Sequence, residues 1–134
     1  MSEDKECNKE EDTSPGIFSW RELFSGDPVA SQKFYTELLG WTVETMPMPS
    51  GDYTMFMNDG QPVAGLNPLP DDKEEAGTAW VNYITVEDLD TTLAQAEQMG
   101  AKACMPPVEI PGKGRFVGMR DPQGAPIAFW EFAT

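Results

Sequence analysis

Gly114-Arg115-Phe116-Val117-Gly118-Met119-Arg120-Asp121-Pro122-Gln123-Gly124-Ala125-Pro126-Ile127-Ala128-Phe129-Trp130, close to the end of the chain, decides the fold. Two runs of strand-like composition, residues 116–119 and 126–132, flank Asp121-Pro122-Gln123-Gly124. A type I turn favours Asp first, Pro second and Gly fourth, so the stretch reads as a β-hairpin. An echo precedes it. Gly60-Gln61-Pro62-Val63-Ala64 matches Gly124-Ala125-Pro126-Ile127-Ala128 in its Gly, Pro, branched residue and Ala. The chain is built twice.

The 134 residues make one ordinary domain with room for a real core. An apolar share of 40% is that of a globular protein, and no apolar run reaches the length that spans a bilayer. The formal charge of −14 suits a soluble protein and argues against nucleic acid and anionic membrane as partners, since both are polyanions. Ser2-Glu3-Asp4-Lys5-Glu6 lacks the apolar region of a secretion signal. Cys7 and Cys104 make no disulfide framework, so reduced thiols in a cytoplasm are expected.

Residues 1–15 are acidic, without an aromatic or a β-branched aliphatic residue to offset ordering entropy, and read as a disordered tail. Phe18, Trp20, Glu22 and Phe24 then alternate with Ser19, Arg21, Leu23 and Ser25 as a strand does. Asp27-Pro28 offers an N-cap and a first-turn proline, Phe34 and Leu38 fall at helical spacing, and Gly40 stops the helix. Residues 41–46, 53–57 and 63–66 read as three further strands. Residues 80–86 begin the second copy, with a helix over 88–99, an extended segment over 101–108 broken by Pro106-Pro107, and the closing hairpin. Asp27 pairs with Asp88 at an offset of 61 and Gly40 with Gly100 at 60, which supports two βαβββ modules. The expected domain covers residues 16–134, with module one at about 16–68, a linker at about 69–78 and module two at about 79–134.

Trp20-Arg21-Glu22-Leu23, Asp27, Phe34-Tyr35-Thr36-Glu37-Leu38-Leu39-Gly40-Trp41 and Val86-Glu87-Asp88-Leu89-Asp90 resemble the vicinal oxygen chelate superfamily. So do Pro106-Pro107, Ile110-Pro111-Gly112, Gly114-Arg115-Phe116 and Asp121-Pro122-Gln123-Gly124-Ala125. That superfamily includes glyoxalase I, bleomycin-resistance proteins and extradiol dioxygenases. The resemblance implies an α+β fold, two βαβββ modules with mixed sheets curled around a shared cleft, and often a homodimer. It also implies metal ligands, typically His, Gln or Glu, on the first and last strands of each module. Here those positions are Trp20, Val81 and Ala128, with Ala64 supplied by the internal echo. None is a ligand residue, and the chain has no histidine. No metal and no cofactor is expected.

Alternation places Trp20, Glu22 and Phe24 on the cleft face of one strand, with Val81, Tyr83 and Thr85 on its counterpart and Trp130 beside Ala128. Glu131 has the opposite parity and should face away. Glu22 is either a ligand or acid–base group or half of an ion pair, with Arg115 or Arg120 as its partner. Trp20 and Trp130 are either stacking platforms or core filling. The candidate ligand-binding residues are Trp20, Glu22, Tyr83, Arg115 and Trp130, and the catalytic candidate is Glu22. Cys104 has no histidine to activate it, and Gly112-Lys113-Gly114 lacks the spacing of a phosphate loop. The resemblance leads to a metal-free binder of a small, partly apolar organic molecule. A metal-independent lyase or isomerase with Glu22 as general base is the alternative, and a purely structural or interaction protein a third.

Overall fold

The computed structural model describes residues 12–48, 51–69 and 77–134, so most of the acidic tail and of the linker lies outside the described residues. Strand β1, Phe18–Ser25, leads into helix α1, Pro28–Leu39. The Asp27 side chain caps that helix by accepting from the Ala30 N–H at 3.1 Å, and Pro28 occupies the first turn, where its missing donor costs nothing. Gly40 ends the helix at φ +76°, its N–H bonded to the Thr36 carbonyl. Strands β2, Thr42–Met48, β3, Gly51–Asn58, and β4, Gln61–Pro68, complete the first module. Asp59 and Gly60, with φ 54° and 78°, close the β3–β4 hairpin with the hand that suits twisted strands.

The second module repeats the order with β5, Ala79–Thr85, and α2, Leu89–Gln98, the latter capped by Asp88 on the Thr91 N–H. The extended segment expected over residues 101–108 becomes two short strands, β6, Lys102–Ala103, and β7, Val108–Ile110, both paired with β8. Pro106 and Pro107 lie in the break, since proline has no N–H to give a ladder. Strands β8, Gly114–Arg120, and β9, Pro126–Phe132, form the closing hairpin. Its turn is held by the Gly124 N–H on the Asp121 carbonyl, and Asp121 Oδ1 accepts from Gln123 and Ala125.

All the strands share one mixed, curled sheet in the order β2-β3-β4-β1-β5-β9-β8-β6, with β7 also on β8. The antiparallel β1–β5 pair joins the modules. Within each module the first and last strands run parallel, β1 with β4 and β5 with β9. Each helix covers its own core on the outer face. The first core contains Leu23, Phe56, Ala64 and Leu66 with Tyr35 and Trp41 against it. The second contains Leu89, Val117 and Met119, with Leu93, Ile127 and Phe129 against it. Trp20, Glu22, Tyr83, Ala128 and Trp130 have the other parity and face inward.

One facing differs from the sequence reading. The internal echo places Ala64 inward, as the counterpart of Ala128. In the structure Ala64 is buried in the outer core, and Gly65 takes the inner position beside Glu22. The pairing steps from Phe56–Ala64 to Met57–Pro62, which leaves Val63 as an extra residue in β4. One inserted residue reverses every later side chain. Arg21 donates from Nη1 to the Val63 carbonyl at 2.7 Å and so satisfies the bulge.

Phe56 is fully buried, whereas Leu38 on α1 is 63% exposed. Phe56→Ala should lower unfolding stability by about 3–5 kcal/mol in urea titrations, and Leu38→Ala should change it by less than about 0.5 kcal/mol. Equal effects would contradict this placement of the core.

Candidate functional site

Glu22 rises from the middle of β1 on the inner face and is only 9% exposed. Its Oε2 accepts from Trp20 Nε1 at 3.2 Å and from the Tyr53 hydroxyl, and its Oε1 accepts from Asn67 Nδ2 at 2.6 Å. The Trp20 indole N–H also reaches the Tyr53 oxygen at 3.1 Å. Tyr83, directly across from Trp20 on β5, places its hydroxyl where it favours the charged form of Glu22. Gly65 makes the cluster possible. A Cβ there would lie 2.8 Å from Glu22 Oε2 and closer still to the Tyr53 hydroxyl.

Burial lifts the Glu22 carboxyl above its usual range, and hydrogen bonds from Tyr53, Trp20 and Asn67, with the Tyr83 hydroxyl nearby, hold it back. Among the described residues no ion pair includes Glu22. The Tyr53 and Tyr83 hydroxyls are raised in turn, by burial first and then by the charge of Glu22. Both keep their protons and remain donors. An ionised carboxylate has about four acceptor sites. Three direct donors take up most of them, two on Oε2 and one on Oε1.

Trp20, Glu22 and Tyr83 therefore come together as the strand parity predicts. Trp130 faces the same way and stacks on Phe116, whose ring meets Tyr83 with centroids 5.7 Å apart. Arg115 does not join them. It has the parity of Val117 and bonds Asp90 at 2.9 Å and Glu131 at 3.3 Å on the helix side of the sheet. Arg120 is not the partner of Glu22 either, since its Nη1 donates to the Gly124 carbonyl. Glu131 faces away from the cleft and accepts from the Leu89 N–H at the start of α2. Sequence reasoning missed Tyr53 and Asn67. Asn67 lies two residues beyond Gly65 on β4, so it shares the inner face once the bulge is known.

The four inner positions that correspond to the family's metal ligands offer nothing to a divalent cation. The indole of Trp20 donates only, and Gly65, Val81 and Ala128 offer no side-chain donor atom to a metal. Among the described residues no group of three His, Cys, Asp or Glu side chains converges.

The model of the Glyoxalase/Bleomycin resistance protein/Dioxygenase superfamily matches residues 17–129. CFP32 of Mycobacterium tuberculosis is 34% identical over 119 residues, which are 87% of this chain and 46% of that one. The anthracycline biosynthesis protein DnrV of Streptomyces peucetius is 33% identical over 130 residues, 87% of this chain and 47% of its own. The chain thus spans about half the length of the curated relatives it matches. A methylmalonyl-CoA epimerase from Streptomyces coelicolor shares the fold at a TM-score of 0.59 and 16% identity, covering 90% of this chain and 100% of that one.

The raised Glu22 carboxyl gives a pH signature with a definite sign. Between the ordinary value of 4.5 and its own higher one, the folded state binds the proton that the unfolded state has released. Stability from this group should therefore fall as pH rises through that window. Urea midpoints of the wild type minus those of Glu22→Gln should decline from pH 4.5 upward and then level. A difference that rises with pH would contradict the burial argument.

Proposed function

The chain belongs to the glyoxalase/bleomycin resistance protein/dioxygenase superfamily, and from that premise we propose that it binds a small, partly apolar organic molecule on its inner face without the family's usual metal site. The observation that carries this reading is the state of Glu22. Trp20, Tyr53 and Asn67 donate to its two oxygens, so the carboxylate acts as an internal anchor. It stiffens one end of a surface whose other end is lined by Phe116 and Trp130. Aromatic walls with a few fixed polar groups are the usual make-up of an organic-ligand site. The ligand meets the rings of Trp20 and Trp130 with the buried Tyr83 behind them, and Arg115 has no part in it. A homodimer in a cytoplasm completes the proposal, and the net charge of −14 disfavours nucleic acid and membrane surfaces as partners.

Burial of Glu22 also supports a second reading, a metal-independent lyase or isomerase with Glu22 as general base. A base needs a lone pair directed at substrate, and Trp20, Tyr53 and Asn67 already occupy both oxygens of Glu22. Binding is favoured over turnover for that reason.

A thermal-shift screen of the full chain tests the choice, because ligands of the native state raise its midpoint by mass action. Divalent metals and EDTA should leave the midpoint unchanged, while a planar aromatic metabolite, with anthracycline-type polyketides among those tried, should raise it. Stabilisation by one divalent ion, abolished in Glu22→Gln, would overturn the metal-free reading.

A further inference from the structure

On the inner face of module two, β8 presents Phe116, Gly118 and Arg120, because Val117 and Met119 between them turn into the outer core. Gly118 is the gap in that row. A Cβ built there meets nothing within 4 Å, and its φ is an ordinary one, so no backbone requirement accounts for the glycine. The space above it is open. Next to it across β9 stands Ala128, also small, and beyond that Tyr83 of the Glu22 cluster.

One end of the gap is aromatic. Phe116 stacks against Trp130 with ring centroids 6.2 Å apart and meets Tyr83 at 5.7 Å. The other end is cationic. Arg120 is the register partner of Lys102 on β6, so the two positive side chains project from the same face of adjacent strands. Like charges directly opposite each other in a sheet are destabilising. The chain has only 9 basic residues against 23 acidic ones, yet sets two of the 9 side by side. Among the described residues neither takes part in an ion pair. Arg120 Nη1 donates to the Gly124 carbonyl, which leaves its other N–H groups and the Lys102 ammonium to an anion.

We propose that the inner face of module two binds an aromatic carboxylate, its ring over Gly118 against Phe116 and its carboxylate at Arg120 and Lys102. Residues two apart on a strand are about 7 Å from one another, which matches the distance from one side of an aryl ring to an attached carboxylate. The proposal rests on the inner-face reading given above and narrows its ligand to a class. It also separates the duties of the two modules: Glu22 and its donors hold the surface in shape, and Gly118 selects what lies on it.

Calorimetric titration of the full chain with 2-naphthoate and 2-naphthamide tests this, since the two differ only in charge and hydrogen bonding at one group. Naphthoate should bind about fivefold more tightly, the scale expected of exposed charge pairs. The preference should vanish in Lys102→Gln and shrink in high salt. Gly118→Leu should abolish binding of both ligands, and Gly118→Ala, which adds one methyl group to open space, should keep the melting midpoint and weaken binding. Equal affinity for the two ligands, both lost in Gly118→Leu, would overturn the anion assignment and leave the inner-face reading in place. Binding untouched by Gly118→Leu would overturn the site itself. Absence of binding by either compound would remove aromatic ligands from the inner face altogether.

Discussion

A carboxylate buried without a cation is the constraint on which this structure turns. Glu22 is 9% exposed and enters no ion pair among the described residues. Desolvation of a charge on this scale is costly unless hydrogen bonds replace water. The replacements come from β1, β3 and β4 as Trp20, Tyr53 and Asn67, with the Tyr83 hydroxyl from β5 beside them. The cluster thus ties strands of both modules at the seam where β1 meets β5. Its demands spread outward. Tyr53 needs the space that only glycine leaves at position 65, and Gly65 faces inward because of the extra residue at Val63.

The two modules share a plan and put it to different uses. Both cap their helices with an aspartate, Asp27 and Asp88, and both pair first and last strands in parallel. In the first, the inner face is filled by polar side chains that bond each other. In the second, Ala128 and Gly118 leave a low floor between an aromatic wall and a pair of cations. The repeat thus supplies rigidity in one module and room in the other.

The fold was legible because its signals are local. Asp-Pro before a helix, Gly40 after it, and the turn at Asp121 each act through neighbours in sequence, and the offset of 61 between Asp27 and Asp88 carried the repeat. The shared facing of Trp20, Glu22 and Tyr83 followed from alternation alone. What escaped were pairings across the sheet. Tyr53 is 31 residues from Glu22, and nothing local marks it as a partner. The bulge at Val63 has no signature beyond an ordinary Pro-Val-Ala run, so the sequence alone points Ala64 inward. Alternation along β8 could also have excluded Arg115 as a ligand residue or partner of Glu22, because its parity with Val117 sends it to Asp90 and Glu131.

The carboxyl carbon of Glu22, followed by NMR through a pH titration with and without a divalent ion such as Mn²⁺ or Zn²⁺, tests the central claim most directly. A buried anchor held by the protein's own donors should titrate above 4.5 and keep the same midpoint and line width when the ion is added. A midpoint drawn downward by Zn²⁺, or a resonance broadened away by Mn²⁺, would make Glu22 a metal ligand and contradict the account.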